Sequence, residues 1–148
     1  MLETYPTILP EDVFLFYIKR ELTDDEVAKG IIINKYGNAN TGTVFLDSFA
    51  GLVRRLGWKE QTVYADVLGV PTSDLGATIR TLTGKSLKDW LDFYVKIGTR
   101  ELLAKTNKKI SEISLELGFP DQASYSHYCR ERFKATPSDL RRRLRLKK

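Results

Sequence analysis

The sequence predicts a mainly α chain containing two copies of one helix-turn-helix unit, and three observations carry that prediction. From Phe45 onward the apolar residues recur at helical spacing, and turns marked by glycine cut the pattern into short pieces. The same region also overlays on itself. Ala65, Leu68, Gly69 and Val70 match Ser114, Leu117, Gly118 and Phe119 at an offset of 49, while Leu75, Ser86 and Asp89 match Tyr125, Thr136 and Asp139 at an offset of 50. The one-residue slip falls in the turn. Each copy is a short helix, a turn beginning at Gly and a second helix, which is the layout of a helix-turn-helix. A generic helical bundle is the competing account, but it does not require a tight Gly turn at corresponding places in two copies.

Residues 1–44 read as a short N-terminal segment, α or α+β, whose fold the pattern leaves open. Thr23-Asp24-Asp25-Glu26 is a capping box. Glu11 to Leu22 fits an apolar helix, yet Val13 to Ile18 fits a strand equally, and Ile31-Ile32-Ile33, Tyr36-Gly37-Asn38 and Thr43-Val44-Phe45 fit a hairpin. Residues 45–148 form the repeated domain. Phe45, Phe49, Leu52, Val53 and Leu56 define its first helix, which stops at Gly57. The first motif, about 62–84, is a helix ending at Gly69-Val70-Pro71 and a second one stopping at Gly84. Ser86 followed by Asp89 is an N-cap with a carboxylate three residues in, so a linker helix opens there and runs to about Lys105. At 1.5 Å per residue it is a rod of roughly 30 Å. The second motif, about 110–134, pairs Ile110, Ile113 and Leu117, closed by Gly118-Phe119-Pro120, with a helix capped by Asp121 that buries Tyr125, Tyr128, Cys129 and Phe133. Thr136-Pro137 opens a last helix, about 137–146.

Composition excludes several classes. The 148 residues, 42% hydrophobic and 29% charged, suit an ordinary globular chain of one domain or two small ones. The longest strongly apolar run, Val13-Phe-Leu-Phe-Tyr-Ile18, is far short of the roughly 20 residues that span a bilayer, and no leader precedes it, so a cytoplasmic protein is expected. One cysteine, Cys129, and one histidine, His127, provide no internal disulfide and no Cys/His metal cluster, and no cofactor is implied. The sequence holds no nucleophile elbow, Gly-rich phosphate loop or His-centred triad, so it does not read as an enzyme. Asp24-Asp25-Glu26 is explained as a capped helix start rather than a cation site. The net charge of +5 is unevenly spread: residues 1–50 carry −4, residues 51–105 carry +3 and residues 106–148 carry +6. A cationic C-terminal two thirds fits a polyanionic partner, nucleic acid before membrane, and it also fits a merely solvated face.

Specific residues carry a family resemblance. Arg100-Glu-Leu-Leu-Ala-Lys-Thr106, Ile110-Ser-Glu-Ile-Ser-Leu-Glu-Leu-Gly-Phe-Pro-Asp-Gln122 and Phe133-Lys-Ala-Thr-Pro-Ser-Asp-Leu-Arg141 resemble the DNA-binding region of the AraC/XylS family of bacterial transcription regulators. Tyr64-Ala65-Asp66, Leu75 and Gly84-Lys-Ser-Leu-Lys-Asp-Trp90 resemble its first helix-turn-helix. The likeness covers roughly Phe45 to Arg143 and is more specific in the second motif. It implies two helix-turn-helix subdomains joined by a long linker helix, each placing a recognition helix in one of two successive major grooves of double-stranded DNA. A rod of roughly 30 Å agrees with readers one DNA turn, about 34 Å, apart. Most family members add an effector-binding barrel, for which about 44 residues are too few.

The resemblance places Gln122, Ala123, Ser126, His127 and Arg130 of the second recognition helix on the bases. Gln122 has the paired donor and acceptor that adenine's major-groove edge requires. His127 stands where the family usually has an Arg that contacts guanine twice; a neutral imidazole donates once, so a changed base is expected. In the first recognition helix the readers fall on Ser73, Gly76 and Ala77, all small, so this motif is expected to position more than it reads, or to have lost DNA contact. Arg80, Lys108, Lys109, Arg130 and the tail from Arg141 and Arg142 to Lys148 are expected on phosphates. Lys134 replaces a customary Gly after Phe133, which raises the question of a left-handed backbone there. Cys129 is read as buried filler.

Two functional readings follow. The first is a sequence-specific transcription regulator reading mainly through its second motif. The alternative is an interaction or co-regulator protein with a degenerate repeat and only weak nonspecific DNA binding. In either, residues 1–44 are candidates for a homodimer contact or for a contact with RNA polymerase or another regulator.

Overall fold

The computed structural model describes residues 8–146. Among them it contains nine helices and no strand: α1 (Pro10–Val13), α2 (Asp24–Ala28), α3 (Val44–Leu56), α4 (Gln61–Leu68), α5 (Thr72–Thr83), α6 (Leu87–Lys105), α7 (Ile110–Glu116), α8 (Gln122–Phe133) and α9 (Pro137–Leu146). Residues 1–7, the start of the N-terminal segment, and Lys147 and Lys148 of the basic tail lie outside the described residues.

The organising element is α6. Its first turn is fixed by reciprocal bonds: Ser86 Oγ accepts the Asp89 N–H at 3.1 Å, and the Asp89 carboxylate accepts the Ser86 N–H at 3.0 Å. Nineteen residues make a rod of about 28 Å, and its two halves serve different cores. Leu87, Trp90, Leu91 and Tyr94 pack with Leu46, Phe49 and Val53 of α3, Tyr64 of α4, and Leu75 and Ile79 of α5. Val95, Leu102 and Leu103 pack with Ile113, Leu117, Phe119, Tyr125 and Cys129 of the second motif, and with Leu140 and Leu144 of α9. The i, i+3, i+4, i+7 set Leu46, Phe49, Ala50 and Val53 explains why 44–56 is a helix with one buried face.

The internal repeat is realised in the backbone. α4 and α7 begin at 61 and 110, α5 and α8 at 72 and 122, and α6 and α9 at 87 and 137. The helix ends correspond as well. Gly84, after α5, has φ +74°, and Lys134, fifty residues on and after α8, has φ +57°. Both copies need a left-handed residue there, and only the first has glycine. Lys134 is the one non-glycine residue with positive φ among the described residues.

The N-terminal segment takes neither of the regular forms its pattern allows. The helix stops after one turn at Val13, and 31–45 holds a single antiparallel bridge, Ile33 to Ala39, in place of a hairpin. The reason is where its backbone groups find partners. Arg54 of α3 donates to the carbonyls of Phe16 (2.7 Å) and Tyr17 (3.1 Å) and to Asn38 Oδ1 (2.8 Å), while Glu101 of α6 accepts the N–H groups of Tyr17 (3.0 Å) and Ile18. Side chains of the helical domain thus satisfy main-chain groups that a helix or sheet would otherwise have satisfied. Phe14 and Tyr17 are thereby set against Tyr94 at 5.1 and 5.3 Å between ring centroids, and Phe14 against Trp90 at 5.7 Å.

Lys134→Gly is expected to raise stability by about 1 kcal/mol by removing a Cβ from a left-handed position, which is about 2–4 °C in melting temperature for a chain of this size. Thermal and urea unfolding check this. An unchanged midpoint would show that the turn carries no such strain.

Candidate nucleic-acid interface

In α8 the capping carboxylate of Asp121 accepts the Ser124 N–H at 2.8 Å, and that bond holds the carboxyl below the usual aspartate range. Beyond it the helix divides cleanly. Gln122, Ala123, His127 and Arg130 are exposed and Ser126 is half-buried, whereas Tyr125, Tyr128 and Cys129 are buried and Phe133 is half-buried. Three contacts set the helix against the linker. Thr99 Oγ1 and Tyr125 Oη are hydrogen-bonded at 2.8 Å, Tyr128 Oη donates to Asp92 at 2.9 Å, and Arg132 pairs with Asp92 at 3.0 Å while lying over the Tyr128 ring. Burial, followed by the Asp92 carboxylate, pushes the Tyr128 phenol above its usual value, so it stays a donor. Every expected reader on α8 therefore sits on the open side of a helix whose other side is bolted down.

The first recognition helix, α5, buries Leu75 and Ile79 and exposes Ser73, Asp74, Ala77 and Arg80. Gly76 is half-buried, and a Cβ there would meet only the tip of Gln61 at ordinary contact distance, so packing does not require glycine. Arg80 is the one long cation on this surface, and Asp74 places a carboxylate near its start.

The two motifs meet directly. The Trp58 N–H donates to the Leu117 carbonyl at 2.8 Å, and Lys59 Nζ donates to the Gly118 carbonyl at 2.7 Å. A Cβ on Gly57 would fall on the Leu117 carbonyl, and one on Gly118 would fall on Trp58 N and the Leu56 carbonyl; both glycines also have positive φ, +69° and +97°. The Trp58 ring stacks on Phe119 (5.9 Å, 13°) and meets Tyr128 edge-on (4.9 Å). A groove of about 820 Å³ opens beside this contact, bordered by Lys59, Glu60, Lys88, His127, Glu131 and Arg132.

The expected phosphate contacts fare unequally. Arg80 and Lys109 are exposed; Lys108 pairs with Glu116 at 3.0 Å and Arg142 with Asp139, both at the surface. Arg141 also has a place within the fold: its guanidinium donates to the carbonyls of Leu103 (3.1 Å), Leu102 (3.4 Å) and Thr106 (3.4 Å), capping the C-terminal end of α6. Its Nε and Nη2 donors are thus turned to the main chain of α6 rather than outward. Arg145 is similarly tied to the Thr106 carbonyl and Asn107. Sequence reasoning missed Lys59, Lys88 and Glu131. Lys59 and Lys88 border the same groove as His127 only because the motifs touch, and nothing in their local spacing signals that, whereas Glu131 lies one turn after His127 on α8, a spacing the sequence does show.

A protein-family model for a helix-turn-helix domain matches residues 64–143, more than half of the chain. The chain belongs to the AraC-type helix-turn-helix family. This AraC-type domain shares its fold with the C-terminal domain of the two-component response regulator YesN from Fusobacterium nucleatum, at 18% identity over 67% of this chain and 99% of that one, TM-score 0.59. It is similar to the C-terminal domain of AraT, a response regulator from Geobacillus stearothermophilus, at 20% identity over 70% and 88% of the two chains, TM-score 0.59. It also resembles the DNA-binding domain of the global transcriptional factor AdpA, solved in complex with a target DNA, at 16% identity over 70% and 95%, TM-score 0.58. A search of curated protein sequences returns no match. No helix among the described residues is long and apolar enough to cross a membrane.

Cys129 lies at the centre of the second core of this AraC-type domain, and burial pushes its thiol up to about 11. At pH near 8 the thiolate is therefore scarce, and alkylation of the native protein is expected to be at least about a hundredfold slower than of the urea-unfolded chain. Equal rates in the two states would contradict the buried placement.

Proposed function

We propose that this chain is a bacterial, cytoplasmic, sequence-specific DNA-binding transcription regulator that reads bases mainly through α8. The observation that carries the reading is the open face of α8, where Gln122, Ala123, Ser126, His127 and Arg130 project from a helix locked to the linker through Tyr125, Tyr128 and Arg132. Gln122 suits adenine, Arg130 suits guanine or phosphate, and Ala123 suits a thymine methyl. Arg80, Lys88, Lys108, Lys109 and Arg142 neutralise phosphates on either side. α5, with Ser73 and Ala77 as its short outward side chains, enters the neighbouring groove and positions the duplex.

The same short side chains, together with Asp74, favour a second reading in which α5 makes no base contact and DNA binding is weak and nonspecific. Exposed Val27, Ile32 and Val44 support a protein contact on the N-terminal segment, with a second copy or another component of the transcription apparatus.

Binding to a duplex selected from a randomised pool, compared with a scrambled duplex across a salt titration, separates these readings. Gln122→Ala is expected to cost about 1–3 kcal/mol on the selected site only. Lys109→Ala is expected to weaken both duplexes alike and to lower the salt slope by about 1. If the two duplexes bind equally with the same slope, the regulator reading fails.

A further inference from the structure

The exposed face of α8 holds one pair that the expected set of readers leaves out. His127 Nε2 lies 3.2 Å from Glu131 Oε1, one helical turn on, and both side chains are 66% exposed. A carboxylate at this distance repels a bare nitrogen lone pair and can only accept a hydrogen, so in the neutral imidazole it favours the form that carries the hydrogen on Nε2. Nδ1 is then left with a bare lone pair. That inverts the chemistry of a guanidinium, which has donors alone and seeks the N7 and O6 acceptors of guanine. An acceptor in the major groove finds its partner in an exocyclic amino group, N6 of adenine or N4 of cytosine, and faces repulsion from guanine.

We propose that Glu131 is a positioning residue that fixes the tautomer and ring orientation of His127, so that this position of the recognition helix selects an amino-bearing base, adenine or cytosine, over guanine. The inference rests on the DNA-reading function above and names the base class of one of its positions. The surroundings do not compete for the same nitrogen. Lys59 Nζ is bound to the Gly118 carbonyl and Arg132 to Asp92, while Lys88 and Glu60 border the groove from α6 and from the residue preceding α4; Arg130 is the other charged neighbour on α8. Among these groups only Glu131 lies within ion-pair distance of the imidazole. Protonation makes both ring nitrogens donors, and the preference then moves toward guanine.

The test uses the full chain, sites enriched from randomised duplexes at about pH 8, where a histidine is ordinarily neutral, and a panel varying the base pair most sensitive to His127→Ala. The wild type is expected to favour adenine or cytosine there about fivefold over guanine, the scale of one hydrogen bond. Glu131→Ala should bind every duplex more tightly, having one carboxylate fewer near phosphate, yet discriminate less than about twofold at this base pair. Glu131→Gln, whose amide oxygen still accepts from Nε2, should keep the preference. A guanine preference at about pH 8, an unaltered preference in Glu131→Ala, or its loss in Glu131→Gln overturns the proposal while leaving DNA reading intact. If no sequence enriches at all, DNA reading itself fails and the proposal falls with it.

Discussion

The structure depends on a backbone contact between its two motifs: the Trp58 N–H bonded to the Leu117 carbonyl, between Gly57 and Gly118. Neither glycine tolerates a side chain, because each would drive a Cβ into the backbone of the opposite turn. Once the turns touch, Trp58 reaches Phe119 and Tyr128 and closes an aromatic cluster that belongs to both halves. Two units that share only a helix can bend about it. Units that also share a main-chain hydrogen bond and a stacked tryptophan, well away from the helix axis, have that freedom removed.

The linker helix and the N-terminal segment reinforce this constraint from other directions. Asp92 of α6 takes both Tyr128 and Arg132 at the edge of the contact, and Thr99 takes Tyr125 inside it, so α8 cannot roll without breaking these contacts and leaving the buried Thr99 and Tyr125 hydroxyls unsatisfied. Tyr17 packs against both hydrophobic clusters, and its backbone is held by Arg54 from α3 and Glu101 from α6. The segment that carries Tyr17 works as a strap across the two motifs. The proposed function depends on this rigidity: a helix face suits base edges when its orientation is fixed beforehand, and here Tyr125, Tyr128 and Arg132 do the fixing.

What the sequence made legible was whatever depends on local rules. The capping pair Ser86 and Asp89, the glycine stops at Gly69 and Gly84, and the 49 and 50 residue offsets are backbone chemistry written into adjacent residues, and each has its counterpart in the helices. The Lys134 question was legible for the same reason, since Gly84 stands at the corresponding place. The N-terminal segment was illegible because its structure is imposed by partners distant in sequence: Arg54 and Glu101 satisfy its main chain, and no period of 2 or 3.6 reports that. The capping role of Arg141 was illegible for a similar reason. A guanidinium in a basic run looks like a phosphate contact until the exposed carbonyls at the end of α6 are seen beside it. The inner side of α8 was legible from its aromatic residues, and Glu131 stands one turn from His127 on the same helix, while Lys59 and Lys88 gained their place beside His127 only through the contact between the turns.

The central claim is that the two recognition helices form one rigid reader. It is tested most directly by the distance distribution between spin labels on Thr81→Cys in α5 and Arg130→Cys in α8, two exposed positions, in a chain whose native Cys129 is buried. The account predicts a single narrow distribution that broadens when Trp58→Ala is added. A broad or two-peaked distribution in the unaltered chain would contradict it, as would one that Trp58→Ala leaves unchanged.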